Sequence, residues 1–264
     1  MMIGVIVPKG EDKLFGALLF QKDKQFKVYV PEGDSVADAY EEQLPLVRGG
    51  LKDVQELYVW ILEPGTLPDK NFVRRARRTI QRHPEFHVYH ANLIQGEPFP
   101  RVLKRDKLFD KLVLDGVPAP LSACVFATAR LRERAVFRAD GTLDPLPTLL
   151  ACASEKGLRN IWRQQLEWTA PVLPEGPAEE EKRIRQRLDF YHWTESFYAE
   201  DYPLGIGDRL EMIAAELAKL YPSYSEEALK EMMQSFQAAS GTVRKLRASS
   251  ALKSALKARQ QELQ

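Results

Sequence analysis

Short apolar runs alternate with helical patterns along the first two thirds of the chain. The runs that predict strands cover residues 3–7, 26–30, 57–62, 86–93, 121–126 and 158–168. Apolar residues at helical spacing lie between them, over residues 14–19, 36–44, 71–82 and 146–153, and the basic segment 130–134 also suits a short helix. This alternation predicts an α/β fold with a mostly parallel sheet flanked by helices. Ligands of such sheets bind beyond the carboxyl ends of the strands, so residues that follow the strands are the candidates for a site.

The last third of the chain has a different character. Three prolines in the stretch PVLPEGPAEEE mark a linker, and every later pattern is helical. The predicted organisation is an α/β domain over 1–170, a Pro/Glu-rich linker over 171–182 and an all-helical extension over 183–264. Dense aromatic residues over 190–202 either cover the edge of the sheet or line an acceptor cleft.

Composition narrows the classes of function. The chain has 264 residues, of which 44% are hydrophobic, enough for one core and an appendage. A net charge of +1 gives no overall field that would attract nucleic acid. Cys124 and Cys152 lie in apolar runs and are typical of buried thiols in a reducing compartment. The opening MMIGVIVP is too short for a signal and no apolar run reaches the length of a membrane span, so we expect a cytoplasmic protein.

Asp144 directly precedes the last helical pattern of the α/β domain. A proline follows it, apolar residues recur over 146–153, and Gly157 ends the pattern. One interpretation is a helix cap, since Asp before Pro commonly begins a helix. Pro147 has no amide, however, so the Asp144 side chain could cap only through Leu146. The other interpretation is a catalytic carboxylate, and spacing leaves both open.

The order of segments around Asp144 resembles that of a known enzyme family. A strand with the small residues SACVF is followed by a basic segment over 130–134, then Phe137, then Leu143-Asp144 leading into LLACASEKG. This order resembles the acceptor half of the inverting family-2 glycosyltransferases, nucleotide-sugar enzymes of GT-A fold, in which Glu-Asp precedes a Leu-rich helix and Gly. The resemblance implies that Asp144 is the general base that removes the proton of the acceptor hydroxyl.

The segments after the first two strands correspond to the nucleotide-binding part of that family. The family's second strand runs into Asp-Asp-Gly-Ser, whose acids bind the base and the ribose. Here the stretch FKVYVPEGDS keeps Gly33 but has Pro31 and Glu32 at the two acidic places. The resemblance therefore assigns Glu32 to the nucleoside, and it assigns Pro8, which ends the first strand, to the same nucleotide-sugar site.

The third strand ends where the family has its DxD motif, Leu-Asp-x-Asp-Asp or a looser Leu-Asn-Pro-Asp-Thr. The stretch WILEPGTLPDKNFV matches the looser frame, with Glu63 and Gly65 at the two acidic places. The resemblance assigns Glu63 to the sugar or to a divalent cation, Mn²⁺ or Mg²⁺. Such an ion needs well-placed carboxylates, and Gly65 supplies none. We therefore expect nucleotide affinity to depend weakly on divalent ions.

A run of cations follows this motif and offers another way to hold a diphosphate. The stretch KNFVRRARRTIQR contains six basic residues and no acid. Guanidinium groups suit phosphate oxygens, so Arg74 and Arg75 are candidates for diphosphate binding. Alternatively, Phe72, Ala76 and Ile80 form the buried side of a helix and the arginines form its solvated face.

The segment over 242–259 has the pattern of a basic amphipathic helix. The stretch TVRKLRASSALKSALKAR carries six cations and no acid, with Leu246, Leu252 and Leu256 in a thin apolar stripe. Such a helix can lie on an anionic membrane surface. It can also dock on the preceding helical hairpin or on another subunit of a homo-oligomer. Both interpretations stay open.

The leading functional prediction is transfer of a sugar from a nucleotide-sugar donor to an acceptor hydroxyl with inversion, in the synthesis of cell-surface polysaccharide or glycoconjugates. The resemblance implies a glycan or lipid-linked acceptor and an enzyme peripheral to the inner face of the membrane. The alternative is a catalytically inactive protein of the same fold that binds or scaffolds a partner, which Pro31 and Gly65 both favour. A nucleotidyltransferase is disfavoured, because VPKGED after the first strand has one glycine and no glycine-rich phosphate loop.

Overall fold

The computed structural model describes most of the chain. The described residues are 1–7, 10–30, 57–94, 96, 98–109, 111–112, 118–136, 143–153, 156–169, 176–198, 206–235 and 242–263. The predicted helix over 36–44 and the candidate residues Pro8 and Glu32 lie outside them. The chain divides into two compact units, Met1–Val172 and Leu173–Gln264.

Eight strands among the described residues of the first unit form one sheet. They are β1 (Met2–Ile6), β2 (Phe26–Tyr29), β3 (Leu57–Ile61), β4 (Thr66–Pro68), β5 (Val88–Leu93), β6 (Val102–Leu103), β7 (Cys124–Ala127) and β8 (Leu158–Trp168). Their order is β2-β1-β3-β7-β5-β8-β4, with β6 also beside β8. Strands β1, β2, β3, β5 and β8 share one direction, and β4, β6 and β7 run against it. The predicted mostly parallel sheet is confirmed.

Helices flank this sheet, as the alternating pattern predicts. They are α1 (Asp12–Leu19), α2 (Phe72–Arg82), α3 (Arg105–Phe109), α4 (Thr128–Arg134) and α5 (Pro145–Cys152). A short 3₁₀ helix, Leu121–Ala123, occupies the first part of the predicted strand over 121–126, so β7 begins at Cys124. Neither α3 nor the two short strands β4 and β6 is predicted by the sequence pattern.

The main core lies between one face of the sheet and the helices α1 and α2. The ring of Trp60 in β3 stacks on Phe72 of α2, with centroids 3.9 Å apart. Phe72, Val73, Ala76 and Ile80 are all buried, which is the predicted apolar side of α2. The buried side chain of Gln21 accepts a hydrogen bond from the Val73 amide at 3.1 Å and so caps α2 from a distant part of the chain.

The second unit consists of helices over its described residues. These are α6 (Pro177–Tyr198), α7 (Ile206–Ala218), α8 (Glu226–Ser235) and α9 (Thr242–Glu262). The predicted helical extension is confirmed, but its start is corrected, because residues 177–182 of the predicted linker belong to α6. Pro177 takes the first helical position, where its missing amide costs no hydrogen bond, and Glu179 and Glu180 favour the positive end of the helix dipole.

Helix α9 has the described part of its apolar stripe buried inside the second unit. Ala248, Leu252 and Leu256 pack in one cluster with residues of α7 and α8. Lys253 and Lys257 are exposed on the same helix. This packing supports docking on the preceding helices, one of the two interpretations left open, because Leu252 and Leu256 lie within the cluster. Binding to an anionic membrane surface stays a prediction. Among the described residues, no helix combines the length and the apolarity needed to cross a bilayer.

Replacing Leu252 by Ala should lower the free energy of unfolding by about 2–3 kcal/mol, because it leaves a gap in a packed cluster. The adjacent exposed change Lys253→Ala should alter it by less than about 0.5 kcal/mol. Urea denaturation of the two variants measures the difference. Equal stabilities of the two variants would show that Leu252 is not packed in this cluster.

Candidate active site at the carboxyl ends of the strands

The end of β3 meets the beginning of β7 at one edge of the sheet. These strands are antiparallel, with Trp60 opposite Val125, so the residues that follow β3 lie beside those that precede β7. Glu63, at the acidic place of the motif after β3, thereby meets Ser122 of the 3₁₀ helix. This is the carboxyl-terminal edge of the parallel strands, where a ligand is expected.

Glu63 and Ser122 are joined by three hydrogen bonds. The Glu63 amide donates to Ser122 Oγ at 2.8 Å, while the Ser122 hydroxyl and amide both donate to Glu63 Oε2, at 3.0 and 3.1 Å. The Ser122 hydroxyl also accepts a hydrogen bond from Thr66 Oγ1 at 2.9 Å. Trp60 Nε1 donates to the Ser122 carbonyl at 2.6 Å. Because Ser122 and Thr66 are buried, this network fixes the carboxylate of Glu63.

Two cysteines lie under this edge and stay protonated. Burial raises the pKa of the Cys124 thiol, and the charge of Glu63 raises it further. Burial raises the pKa of Cys152 to about 12, although Arg130 and Arg134 act in the opposite direction. Both are free and buried, as the sequence predicts. A protonated buried thiol is not a nucleophile, so neither cysteine supplies covalent chemistry here.

Asp144 is tied by its backbone to the end of α4. The Asp144 amide donates to the Val136 carbonyl at 2.8 Å, and the Thr148 amide donates to the Asp144 carbonyl at 3.2 Å. Helix α4 follows β7 directly and packs on β3, β7 and α5. Because α4 packs on the strand that it follows, we infer that it returns along β7 towards the edge that carries Glu63. Asp144, which is partly exposed, lies at that end of α5.

Helix α5 begins without a capping hydrogen bond from the Asp144 side chain. Pro145 and Pro147 remove two of the amides of the first turn, and the backbone bond from Thr148 to Asp144 closes the turn instead. The interpretation of Asp144 as a side-chain cap is therefore corrected. Its position at the start of the helix is as the sequence predicts.

The residues at this edge do not fit a divalent cation. Over the described ranges, no group of three or more His, Cys, Asp or Glu side chains could hold one. Oxygen Oε2 of Glu63 already accepts two hydrogen bonds from Ser122. Gly65 has a φ of +74°, and a Cβ there would lie 3.2 Å from the Thr169 carbonyl oxygen, so an acid at this position would be strained. The turn after β3 is built without the second carboxylate of the motif.

Arg74 and Arg75 lie in the first turn of α2. This turn is anchored to the segment between α1 and β2, where the Lys22 amide donates to the Lys70 carbonyl at 2.8 Å. Arg74 donates to Asn71 Oδ1 at 2.7 Å. Binding of a diphosphate by these arginines stays a prediction.

Two residues escape prediction from the sequence: Ser122, which holds Glu63, and Thr148, which holds Val136. Each is a single polar residue in an apolar run, LSACVF and PLPTLLAC. That isolation is a usable signal, because a buried hydroxyl requires a hydrogen-bond partner. The partner itself is unpredictable from the pattern, since Glu63 lies 59 residues away from Ser122.

Comparisons with known proteins give structural similarity alone. No known family model matches the chain, and no curated protein matches it. A crystal structure of residues 1–349 of TarS from S. aureus aligns over 99% of this chain and 92% of that chain, with 13% identity and a TM-score of 0.45. The same part of TarS in complex with UDP aligns over the same shares, with 13% identity and a TM-score of 0.47. A longer TarS structure aligns over 97% of this chain and 55% of that chain, with 14% identity and a TM-score of 0.45.

Proposed function

We propose that this chain transfers a sugar from a nucleotide-sugar donor to an acceptor hydroxyl, with Asp144 as the general base. The observation that carries the proposal is the way α5 begins. The backbone of Asp144 is fixed to Val136 and Thr148, and its partly exposed carboxylate stands at the helix start without serving as its cap. This arrangement fits the role that the family-2 resemblance implies for the same position.

The reaction is a single displacement in which the chain's own groups handle one proton. The Asp144 carboxylate accepts the proton of the acceptor hydroxyl while that oxygen forms a bond to the anomeric carbon. The bond from the anomeric carbon to the diphosphate oxygen breaks on the opposite face, and the nucleoside diphosphate leaves with the bonding electrons. Attack from the face opposite to the leaving group inverts the anomeric configuration. No covalent enzyme intermediate is needed, which agrees with the protonated state of Cys124 and Cys152.

Glu63 in this proposal contacts the donor sugar, and no step runs through a metal ion. Its carboxylate is oriented by Ser122, and carboxylate oxygens are acceptors for the hydroxyl groups of a sugar. Fixing the carboxylate in advance lowers the entropy cost of such a contact. The diphosphate would then be held by groups other than a cation bound at Glu63.

The proposal names the donor and the acceptor by chemical class. The donor is a nucleotide sugar, with Glu32 and Pro8 on its nucleotide side, and the acceptor is a hydroxyl of a glycan or of a lipid-linked sugar. The product would be a surface polysaccharide or glycoconjugate. A location at the inner face of the membrane and a homo-oligomeric state stay predictions.

A binding panel tests the proposal. Thermal shift against nucleoside diphosphates, nucleotide sugars and matched nucleoside monophosphates, each with and without manganese, should select one base and favour the diphosphate forms. Release of the diphosphate from the selected nucleotide sugar, with water as acceptor, then measures turnover. Absence of any selective stabilisation would refute the proposal, whereas selective binding without turnover would favour the inactive binding partner.

Chelation of divalent ions should leave nucleotide affinity within about threefold of its value in manganese. The turn at Gly65 lacks the second carboxylate that would bind such an ion, and oxygen Oε2 of Glu63 already accepts hydrogen bonds from Ser122. Isothermal titration with the selected nucleotide, in EDTA and in manganese, gives the two affinities. A large loss in EDTA that manganese restores would show that Glu63 holds a metal ion after all.

A further inference from the structure

The main chain of Val136 is held from two sides by the first turns of α5. Its amide donates to Thr148 Oγ1 at 3.0 Å, and its carbonyl accepts from the Thr148 hydroxyl at 3.2 Å. The same carbonyl accepts from the Asp144 amide at 2.8 Å. One threonine hydroxyl and one backbone amide therefore join the end of α4 to the start of α5.

The burial of Thr148 makes this junction costly to break. Thr148 is fully buried, and its hydroxyl is its only polar side-chain group. Removing the hydroxyl would leave the Val136 amide without its partner and the carbonyl with one fewer, in a place that water does not reach freely. Leu143, which directly precedes Asp144, is buried as well. The position of Asp144 relative to the sheet thus depends on a residue one helical turn further along.

We propose that Thr148 is a positioning residue for Asp144, acting through the Val136 main chain. The inference rests on the proposed function, in which the Asp144 carboxylate must come within hydrogen-bond reach of the acceptor hydroxyl, about 2.6–3.2 Å. A displacement of about 1 Å in a catalytic group can cost on the order of 100-fold in rate. The threonine touches no reacting atom, so its contribution is geometric.

The test compares variants of Thr148 in two backgrounds. Thr148→Val keeps the shape and removes the hydroxyl, and it should lower kcat for diphosphate release by about 10- to 100-fold with the donor KM unchanged. In an Asp144→Asn background the same change should have no further effect, because the group that it positions is already gone. A merely structural role would lower the residual rate by the same factor in both backgrounds.

A matched control separates this effect from general loss of packing. Thr128, at the first position of α4, is also buried, and its hydroxyl has no hydrogen-bond partner among the described residues. Thr128→Val should therefore leave kcat unchanged. If Thr148→Val does not fold, Thr148→Ser and Thr148→Ala replace it, since they have nearly equal volumes and only serine keeps the hydroxyl; serine should retain the rate that alanine loses.

The outcomes distinguish failure of the proposed function from failure of the positioning inference. If the wild-type protein and Asp144→Asn release diphosphate equally, Asp144 is not the base, and the positioning inference falls with it. If Asp144→Asn is inactive but Thr148→Val matches wild type, or if its loss is equal in both backgrounds, the positioning inference alone is overturned. A loss confined to the Asp144 background, with rescue by serine, supports it.

Discussion

Asp144→Asn should lower sugar transfer by about 10²–10⁴-fold, because the amide cannot take the proton of the acceptor hydroxyl. The shape of the side chain is nearly conserved, so donor affinity and the melting temperature should stay at their wild-type values. Diphosphate release and donor titration on the same preparation measure both quantities. A wild-type rate in this variant would show that Asp144 has no catalytic role and would remove the basis of the proposed mechanism.

The stability of Asp144→Ala gives a second, independent result. Loss of a side-chain N-cap typically costs about 1 kcal/mol, and asparagine caps as well as aspartate does. Because the Asp144 side chain makes no capping hydrogen bond to α5, the alanine and asparagine variants should unfold within about 0.5 kcal/mol of each other. An alanine variant less stable by about 1 kcal/mol would restore the capping interpretation.

A control for general charge effects is available in α1. Asp12 is the acidic residue in the first turn of that helix, so its replacement by Asn is the same chemical change at the start of another helix. Asp12→Asn removes one negative charge there, and it should leave the rate of diphosphate release unchanged. An equal loss of rate in Asp12→Asn and Asp144→Asn would show that the change in net charge, and not the loss of a base, causes the effect.

The sequence predicts the strands and helices that are determined by their own residues. Strands β1 and β3 are short apolar runs, and α2 has four buried positions at helical spacing, so their pattern is sufficient. Strands β4 and β6 have three and two residues, and they are strands only because β8 lies beside them. A pattern that short carries no period, and its conformation is decided by the partner.

The sequence predicts which residues of the candidate site are acidic, but not which residues hydrogen-bond to them. Asp144 and Glu63 follow from the order of segments and from the end of an apolar run. Their partners Ser122, Val136 and Thr148 depend on which elements become neighbours in space, which the pattern does not contain. The same holds for α9. Its thin apolar stripe suits a membrane surface or a neighbouring helix, and the packing of Ala248, Leu252 and Leu256 with α7 is visible only in the structure.

His90 is a buried titratable group that the proposed reaction does not use. It lies in β5, opposite Cys124 of β7 and Asn160 of β8, and is 1% exposed. Neither ring nitrogen has a hydrogen-bond partner among the described residues, and the ring of Phe99 packs on it with centroids 4.2 Å apart. Burial without a partner lowers the pKa of His90 to about 3. The imidazole is therefore neutral in the folded protein over the usual pH range.

This shift makes stability fall in acid. In the unfolded chain His90 has its ordinary pKa of about 6.5, so between pH 6.5 and about 3 the unfolded state binds one more proton than the folded state. The stability contribution is present above pH 6.5 and is lost as pH falls, at about 1.4 kcal/mol per pH unit. The loss reaches about 3 kcal/mol at pH 4.5 and about 5 kcal/mol near pH 3, on the scale of the stability of a whole domain.

His90→Leu should remove this acid sensitivity, because leucine fills the site without a group to protonate and without two unpartnered nitrogens. We expect stability equal to or above that of wild type at pH 7, and an advantage of about 3 kcal/mol at pH 4.5. Urea unfolding from pH 7 to pH 4 gives the two slopes. Because the other groups titrate alike in both proteins, a parallel decline for wild type and His90→Leu would mean that His90 has a partner or is hydrated in the folded state.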